Sequence, residues 1–168
     1  MKKLLFILFC LPFFSLAQNF NYLPTSTTNQ IVHHTYFSLS YSDEHEQAEW
    51  VAYELTKERV MGSVGRSNNF REDRKVRTGS ATLDDYKGAG YDRGHLAPAG
   101  DMKFSSTAMS ESFFMSNMSP QKASFNRGIW KNLESQVRTW AYENGHIYVV
   151  TGGVLNSCSS SIGYSRVG

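Results

Sequence analysis

The stretch Tyr91-Asp92-Arg93-Gly94-His95-Leu96-Ala97-Pro98, followed downstream by Asn126-Arg127-Gly128-Ile129-Trp130 and Leu133-Glu134, decides how this chain is read. It combines a candidate general base, fixed cations and oxygen donors suited to a hard metal ion. Histidine titrates near neutrality and can take a proton from water. Arginine presents a permanently charged, planar donor fork to phosphoryl oxygens. A divalent cation such as Mg²⁺ prefers oxygen ligands and keeps several waters, so one neutral Asn carbonyl can anchor it. Together these residue types point to metal-assisted cleavage of a phosphodiester.

The run Asp92-Arg93-Gly94-His95 resembles the DRGH signature of the DNA/RNA non-specific endonucleases, the ββα-metal family that includes endonuclease G. Further pieces match in order. Upstream, Tyr41 through Trp50 to Leu55 resembles the family's early strand pair, and Arg66 to Asp73 its Arg-containing segment. Downstream, Ala97 to Met102, Phe113 to Gln121, and Asn126 with Trp130 and Glu134 follow the family's spacing. The resemblance covers Ile31 to Gly163.

It implies His95 as the general base, Asn126 as the direct protein ligand of Mg²⁺ (with Mn²⁺ as a possible substitute), and Glu134 as the holder of metal-bound water. It implies Arg93 and Arg66 as phosphate clamps, and Asn117, grouped with the catalytic residues, as a group that positions the site. Asp92 reads as a brace for the loop. DNA and RNA are the implied substrates, with 5′-phosphate ends as products; weak base specificity follows if contacts go to phosphates, which are alike in every sequence. A homodimer and a protein inhibitor are further partners to look for.

Local patterning supplies the frame. His33 to Tyr41 and Trp50 to Leu55 alternate as half-buried strands do, whereas Gly62 to Thr82 is polar and irregular. From Asn126 to about Glu143, the residues Ile129, Leu133, Val137, Trp140 and Ala141 recur at helical spacing, and Asn144-Gly145 supplies a stop. Asn126, Trp130 and Glu134 then share one side of that helix. Asn126 also suits a helix N-cap, a reading that stands beside the metal-ligand one. His146 to Thr151 reads as a buried strand. The expected class is α+β: an antiparallel β-sheet flanked by helices, with a ββα-metal nuclease site and a C-terminus shortened relative to the family.

The chain has 168 residues, enough for one domain. Met1 to Ala17 has the charged start, short apolar run and small-residue end of a secretory signal peptide, which predicts a secreted or periplasmic protein without a stable membrane anchor. Residues 18 to 30 form a loose polar lead-in, and 31 to 168 the nuclease domain, expected to be incomplete at its C-terminus. Once Lys2 and Lys3 are removed, 15 basic residues face 15 acidic ones, so global charge does not announce a nucleic-acid binder. Lys57 to Arg77 holds a local excess of Lys and Arg, either a phosphate-facing patch or a solvated loop. Cys158 would be the sole mature cysteine, which leaves no intrachain disulfide. His33, His34 and His45 lack the paired spacing of a zinc site.

Two alternatives remain beside the leading reading. The shortened C-terminus could leave a catalytically impaired fragment acting as a nucleic-acid-binding or interaction module. Alternatively, the same chemistry could serve small nucleotide diesters.

Overall fold

The computed structural model describes residues 21–155, 161–163 and 167. The expected leader and Cys158 lie outside them. A four-stranded antiparallel sheet runs in the order β1 (Ile31–His33), β2 (Ser38–Ser42), β3 (Gln47–Thr56), β6 (His146–Thr151). A separate two-stranded ribbon pairs β4 (Asp92–His95) with β5 (Met118–Gln121). Short helices α1 (Lys57–Val60), α2 (Leu83–Tyr86), α3 (Ser106–Glu111) and α4 (Ala123–Phe125) precede the one long helix, α5 (Lys131–Asn144). Antiparallel strands with helices at their side make this the expected α+β architecture.

Strand β3 is the spine. Val51, Tyr53 and Leu55 point to one face, where they join Leu39, Tyr41, Leu96, Met102 and Ala141 in a continuous core. Each such burial removes apolar surface from water and contributes about 1.5–3 kcal/mol. The opposite face of β3 is covered as well. Trp50 donates its indole N–H to the Thr25 carbonyl at 3.2 Å, Ser26 and Ser40 hydroxyls lie 2.7 Å apart, and Tyr22 stacks on Tyr148 at 4.5 Å. The polar lead-in is therefore not loose where it is described: it crosses the outer sheet face, held by hydrogen bonds that its composition did not advertise.

Two strand expectations change. The alternation from His33 to Tyr41 is broken by a turn in which the His34 N–H donates to the Phe37 carbonyl at 2.9 Å, so it yields the end of β1 and most of β2. His146–Thr151 is a strand, paired antiparallel with β3, but its residues alternate between exposed and half-buried. Among the described strands it is an edge; Ile147 and Val149 pack against the core cluster, while the other face is covered only in part, where Tyr22 stacks on Tyr148.

Helix α5 stops where expected. Gly145 has φ +84°, a left-handed conformation that glycine adopts without a Cβ clash. Its carbonyl accepts the Lys57 N–H at 2.7 Å, tying the helix end to the start of α1. Among the described residues no helix is long and apolar enough to cross a membrane.

Candidate active site

The ribbon β4–β5 and the helical segment after it form a ββα unit, and the DRGH run is strand β4 itself. Its antiparallel register sets Arg93 opposite Pro120 and His95 opposite Met118. Side chains alternate along a strand, so Arg93 and His95 share a face. Both meet Phe70: the Arg93 guanidinium lies 4.0 Å from the ring centroid, and the His95 ring approaches edge-on at 5.8 Å. Gly94, between them, faces the other way. A Cβ there would fall 2.2 Å from the Gln121 side chain, so glycine is what lets β5 close on β4.

His95 is only 7% exposed. Its ring is walled by Phe113, edge-on at 4.9 Å, and by Phe70, and the Arg66 guanidinium lies 4.7 Å from the Phe113 centroid. Burial, and then the charges of Arg66 and Arg93, depress its pKa to about 3, which keeps the imidazole neutral. Its Nε2 is buried with no hydrogen-bond partner among the described residues. Such an orphaned atom is costly in a folded core and common where a substrate or water must be met.

Asn126 is held from the other side. Its Nδ2 donates to Asp92 Oδ2 at 2.9 Å, and Arg127 clamps the same carboxylate through Nε at 2.8 Å and Nη2 at 2.7 Å. These contacts hold the Asp92 carboxyl below the usual carboxylate range. The bond to Asp92 fixes which end of the Asn126 amide is nitrogen and leaves its carbonyl oxygen on the other side, as a candidate cation ligand. Asn126 has helical dihedrals between α4 and a π-helical turn at Asn126–Trp130, where Gly128 departs to φ −102°, ψ −108°. Its N-cap reading is therefore corrected: the helical segment already begins at Ala123. Such π-turns recur at functional sites because they re-aim side chains.

Trp130 donates its indole N–H to the His95 carbonyl at 3.3 Å and docks this segment on β4. Glu134 follows one turn later. Burial, reinforced by the Asp101 charge, pushes its carboxyl up to about 7, while Arg138, Arg66 and Lys131 pull it back. Asp101 is itself buried between the Tyr53 hydroxyl, which donates at 2.7 Å, and Arg138 Nη1, also at 2.7 Å.

The structure thus brings Arg66, Arg93 and His95 together around two phenylalanines, with Asn126 and Glu134 on the adjoining helical segment. Asn117 does not join them at the surface. It is fully buried, accepts the Ala97 N–H at 2.8 Å, and donates to the carbonyls of Ala97 at 3.0 Å and Ser112 at 2.8 Å. Both polar atoms of its side chain are engaged with backbone, at Ala97 just after His95 and at Ser112, which suits the expected positioning role.

Residue patterns missed Phe70, Phe113, Arg127 and Asp101. The only cue was Arg127 lying next to Asn126. The basic stretch 57–77 delivers Arg66 to the site, while Arg71 packs its guanidinium 3.9 Å from the Phe114 centroid. His34 is engaged elsewhere, 2.9 Å from Asp73 in a buried pair. His33 lies 2.8 Å from the Ser38 hydroxyl.

Among the described residues no three His, Cys, Asp or Glu side chains cluster. A hard cation here would rely on the Asn126 carbonyl, the Glu134 carboxylate and waters, and that all-oxygen set fits Mg²⁺ chemistry.

A strand pair followed by a helical segment, with a His–Arg centre on the ribbon, is the ββα-metal nuclease fold. The chain belongs to the DNA/RNA non-specific endonuclease family, whose model matches residues 18–166; the family is metal-dependent. It is 38% identical over 121 residues to human mitochondrial nuclease EXOG, covering 71% of this chain and 33% of that one. It is 37% identical over 133 residues to human mitochondrial endonuclease G, covering 78% and 45%. Against nuclease C1 of Cunninghamella echinulata var. echinulata it is 36% identical over 132 residues, covering 76% and 52%. The EndoG of an EndoG/EndoGI inhibitory complex superimposes with a TM-score of 0.73 at 30% identity, over 82% of this chain and 62% of that one. The chain thus spans between a third and about half of these curated relatives' lengths.

The expected secreted or periplasmic location is overturned. The EXOG and endonuclease G relatives are mitochondrial nucleases.

Proposed function

We propose that this chain is a sequence-nonspecific endonuclease that hydrolyses phosphodiester bonds of DNA and RNA with Mg²⁺ as its metal, Mn²⁺ being a functional substitute. One observation supports the reading: the buried Nε2 of a neutral His95, without a hydrogen-bond partner among the described residues and within the field of Arg66 and Arg93.

A phosphate entering between Arg66 and Arg93 meets two fixed positive charges. Their attraction grows as the phosphoryl oxygens gain charge in the transition state, which is where electrostatic stabilisation acts. The anion in turn offsets the part of the His95 depression that comes from the Arg66 and Arg93 charges, the larger part being burial, and so shifts its basicity toward the range useful for taking a proton from water. Asn126 would hold the cation through its carbonyl, and Glu134 would order water around it. When bound, the cation would neutralise part of the charge that develops on the phosphate. Asp92, Arg127, Asn117 and Trp130 keep these groups in place. Attack in line on phosphorus expels the 3′ oxygen and leaves a 5′-phosphate. By analogy with the EndoG/EndoGI complex, a protein inhibitor that covers this face belongs to the same proposal.

End-group analysis tests the chemistry. Fragments of a labelled DNA and a labelled RNA strand should ligate directly to a 3′-hydroxyl acceptor without prior kinase treatment. Fragments that ligate only after kinase treatment would contradict the proposed direction of cleavage.

A further inference from the structure

A cleft of about 560 Å³ opens beside the site between α2 and β4. Arg93 and Asn126 form its near wall, so it is continuous with the candidate centre. Its far wall, with Tyr86, Lys87 and Tyr91, has no role in the chemistry described above. The volume falls within the range of sites that take a small ligand such as one nucleotide.

The far wall has the features a nucleotide needs. Tyr91 is half-buried and offers an aromatic face, and base–aromatic stacking works with any base because every base has a π-face. Lys87 is exposed and supplies a cation at the distal end. The Tyr86 hydroxyl is buried without a hydrogen-bond partner among the described residues, in a side chain 6% exposed. The segment is fixed rather than incidental. Asp85 Oδ2 accepts both the N–H and the hydroxyl of Thr82, at 2.8 and 2.9 Å, which locks α2. Gly88 and Gly90 then turn the chain through φ +71° and +79°, so that Lys87 and Tyr91 line one cleft.

We propose that this cleft is a nucleotide subsite: Tyr91 stacks the base next to the scissile phosphate, and Lys87 pairs with the following phosphate. The inference rests on the phosphodiesterase reading above. It accounts for selection of a polymer over a small diester without any reading of base identity.

The test compares the full chain with its Tyr91→Ala, Tyr91→Phe and Lys87→Ala variants on two substrates in Mg²⁺. One is a single-stranded DNA oligonucleotide; the other is bis(p-nitrophenyl) phosphate, which has no nucleotide to fill the cleft. The ratio of kcat/KM for the oligonucleotide to that for the small diester should fall roughly tenfold in Tyr91→Ala, the strength of one base–aromatic stack. Tyr91→Phe should keep the parent ratio. Lys87→Ala should lower the ratio and reduce the salt slope of oligonucleotide binding by about 0.7. Because Lys87 is exposed, its variant still probes the cleft if Tyr91→Ala unfolds. Equal losses on both substrates, or an unchanged ratio in both Ala variants, would overturn the subsite.

If the parent cleaves neither substrate, the nuclease reading fails separately and fluorescence anisotropy decides the subsite. Roughly tenfold weaker oligonucleotide binding by Tyr91→Ala upholds it. Binding equal to the parent's, or none by the parent, overturns it.

Discussion

Removing the Asp92 carboxylate should disable the site by releasing Asn126. Asp92 accepts three hydrogen bonds, two from Arg127 and one from Asn126. The Arg127 side chain is 73% exposed, so its fork is largely screened and contributes at most about 1 kcal/mol. The Asn126 bond ends on a half-buried carboxylate and contributes about 1 kcal/mol. Asp92→Ala is therefore expected to cost roughly 2 kcal/mol in urea unfolding. The functional loss should be larger. Without Asp92 the Asn126 amide loses the hydrogen bond that orients it, and loss of such an outer partner typically lowers metal affinity or activity about 10- to 100-fold. The assay is kcat/KM on an oligonucleotide across a Mg²⁺ titration, with Arg127→Ala as the control that removes the ion pair and keeps the amide bond. A Mg²⁺ half-saturation unchanged in Asp92→Ala would refute the reasoning. So would an Arg127→Ala loss as large as that of Asp92→Ala, because the effect would then lie in the ion pair.

Other consequences can be measured on the metal-free protein. Asn117→Ala strands three buried backbone groups and leaves a void, so it should cost roughly 3–4 kcal/mol of unfolding free energy; a loss under about 1 kcal/mol would show that Asn117 does not brace the segment after His95. Stability in EDTA should respond to pH in opposite senses in two variants. His95 has a folded pKa depressed from 6.5 to about 3, so its contribution is complete above about 6.5 and is lost as pH falls toward 3. Glu134 has a folded pKa raised from 4.5 to about 7, so its contribution is complete below about 4.5 and is lost as pH rises toward 7. Between 4.5 and 6.5 the two slopes oppose each other in the parent. Denaturation series should show Glu134→Gln losing stability on acidification and His95→Gln gaining it, by up to about 1.4 kcal/mol per pH unit; slopes of the same sign would contradict the assigned environments.

Local signals served well wherever one element decides the geometry. The helical spacing announced α5 and Gly145 marked where it ends, whereas the π-helical turn at Asn126–Trp130, with its non-helical Gly128, was not legible in that spacing. That Arg93 and His95 sit on a strand and share a face against Phe70 was not legible in the motif, because the pairing of β4 with β5 creates it. What stayed hidden depends on partners remote in sequence. Phe70 and Phe113 enclose His95 only because the irregular segment after α1 and the turn after α3 converge on β4, and no periodicity encodes that. Asp101 reads as a loop acid until Tyr53 and Arg138 are seen on it. The open edge of β6 eluded its apolar sequence for a related reason: a run of Ile, Tyr and Val reports what a strand could bury, whereas its cover is set by neighbouring elements. The break between β1 and β2 was missed because the alternating pattern continues across a turn of ordinary residues.

The measurement closest to the central claim is plasmid nicking by the full chain, in Mg²⁺ and in EDTA, beside His95→Ala shown to be folded by circular dichroism. The account predicts nicking that requires the metal and is lost in His95→Ala by at least about a hundredfold, the scale of a missing general base. A His95→Ala protein that nicks as fast as its parent, or a folded parent that does not nick at all, would contradict it.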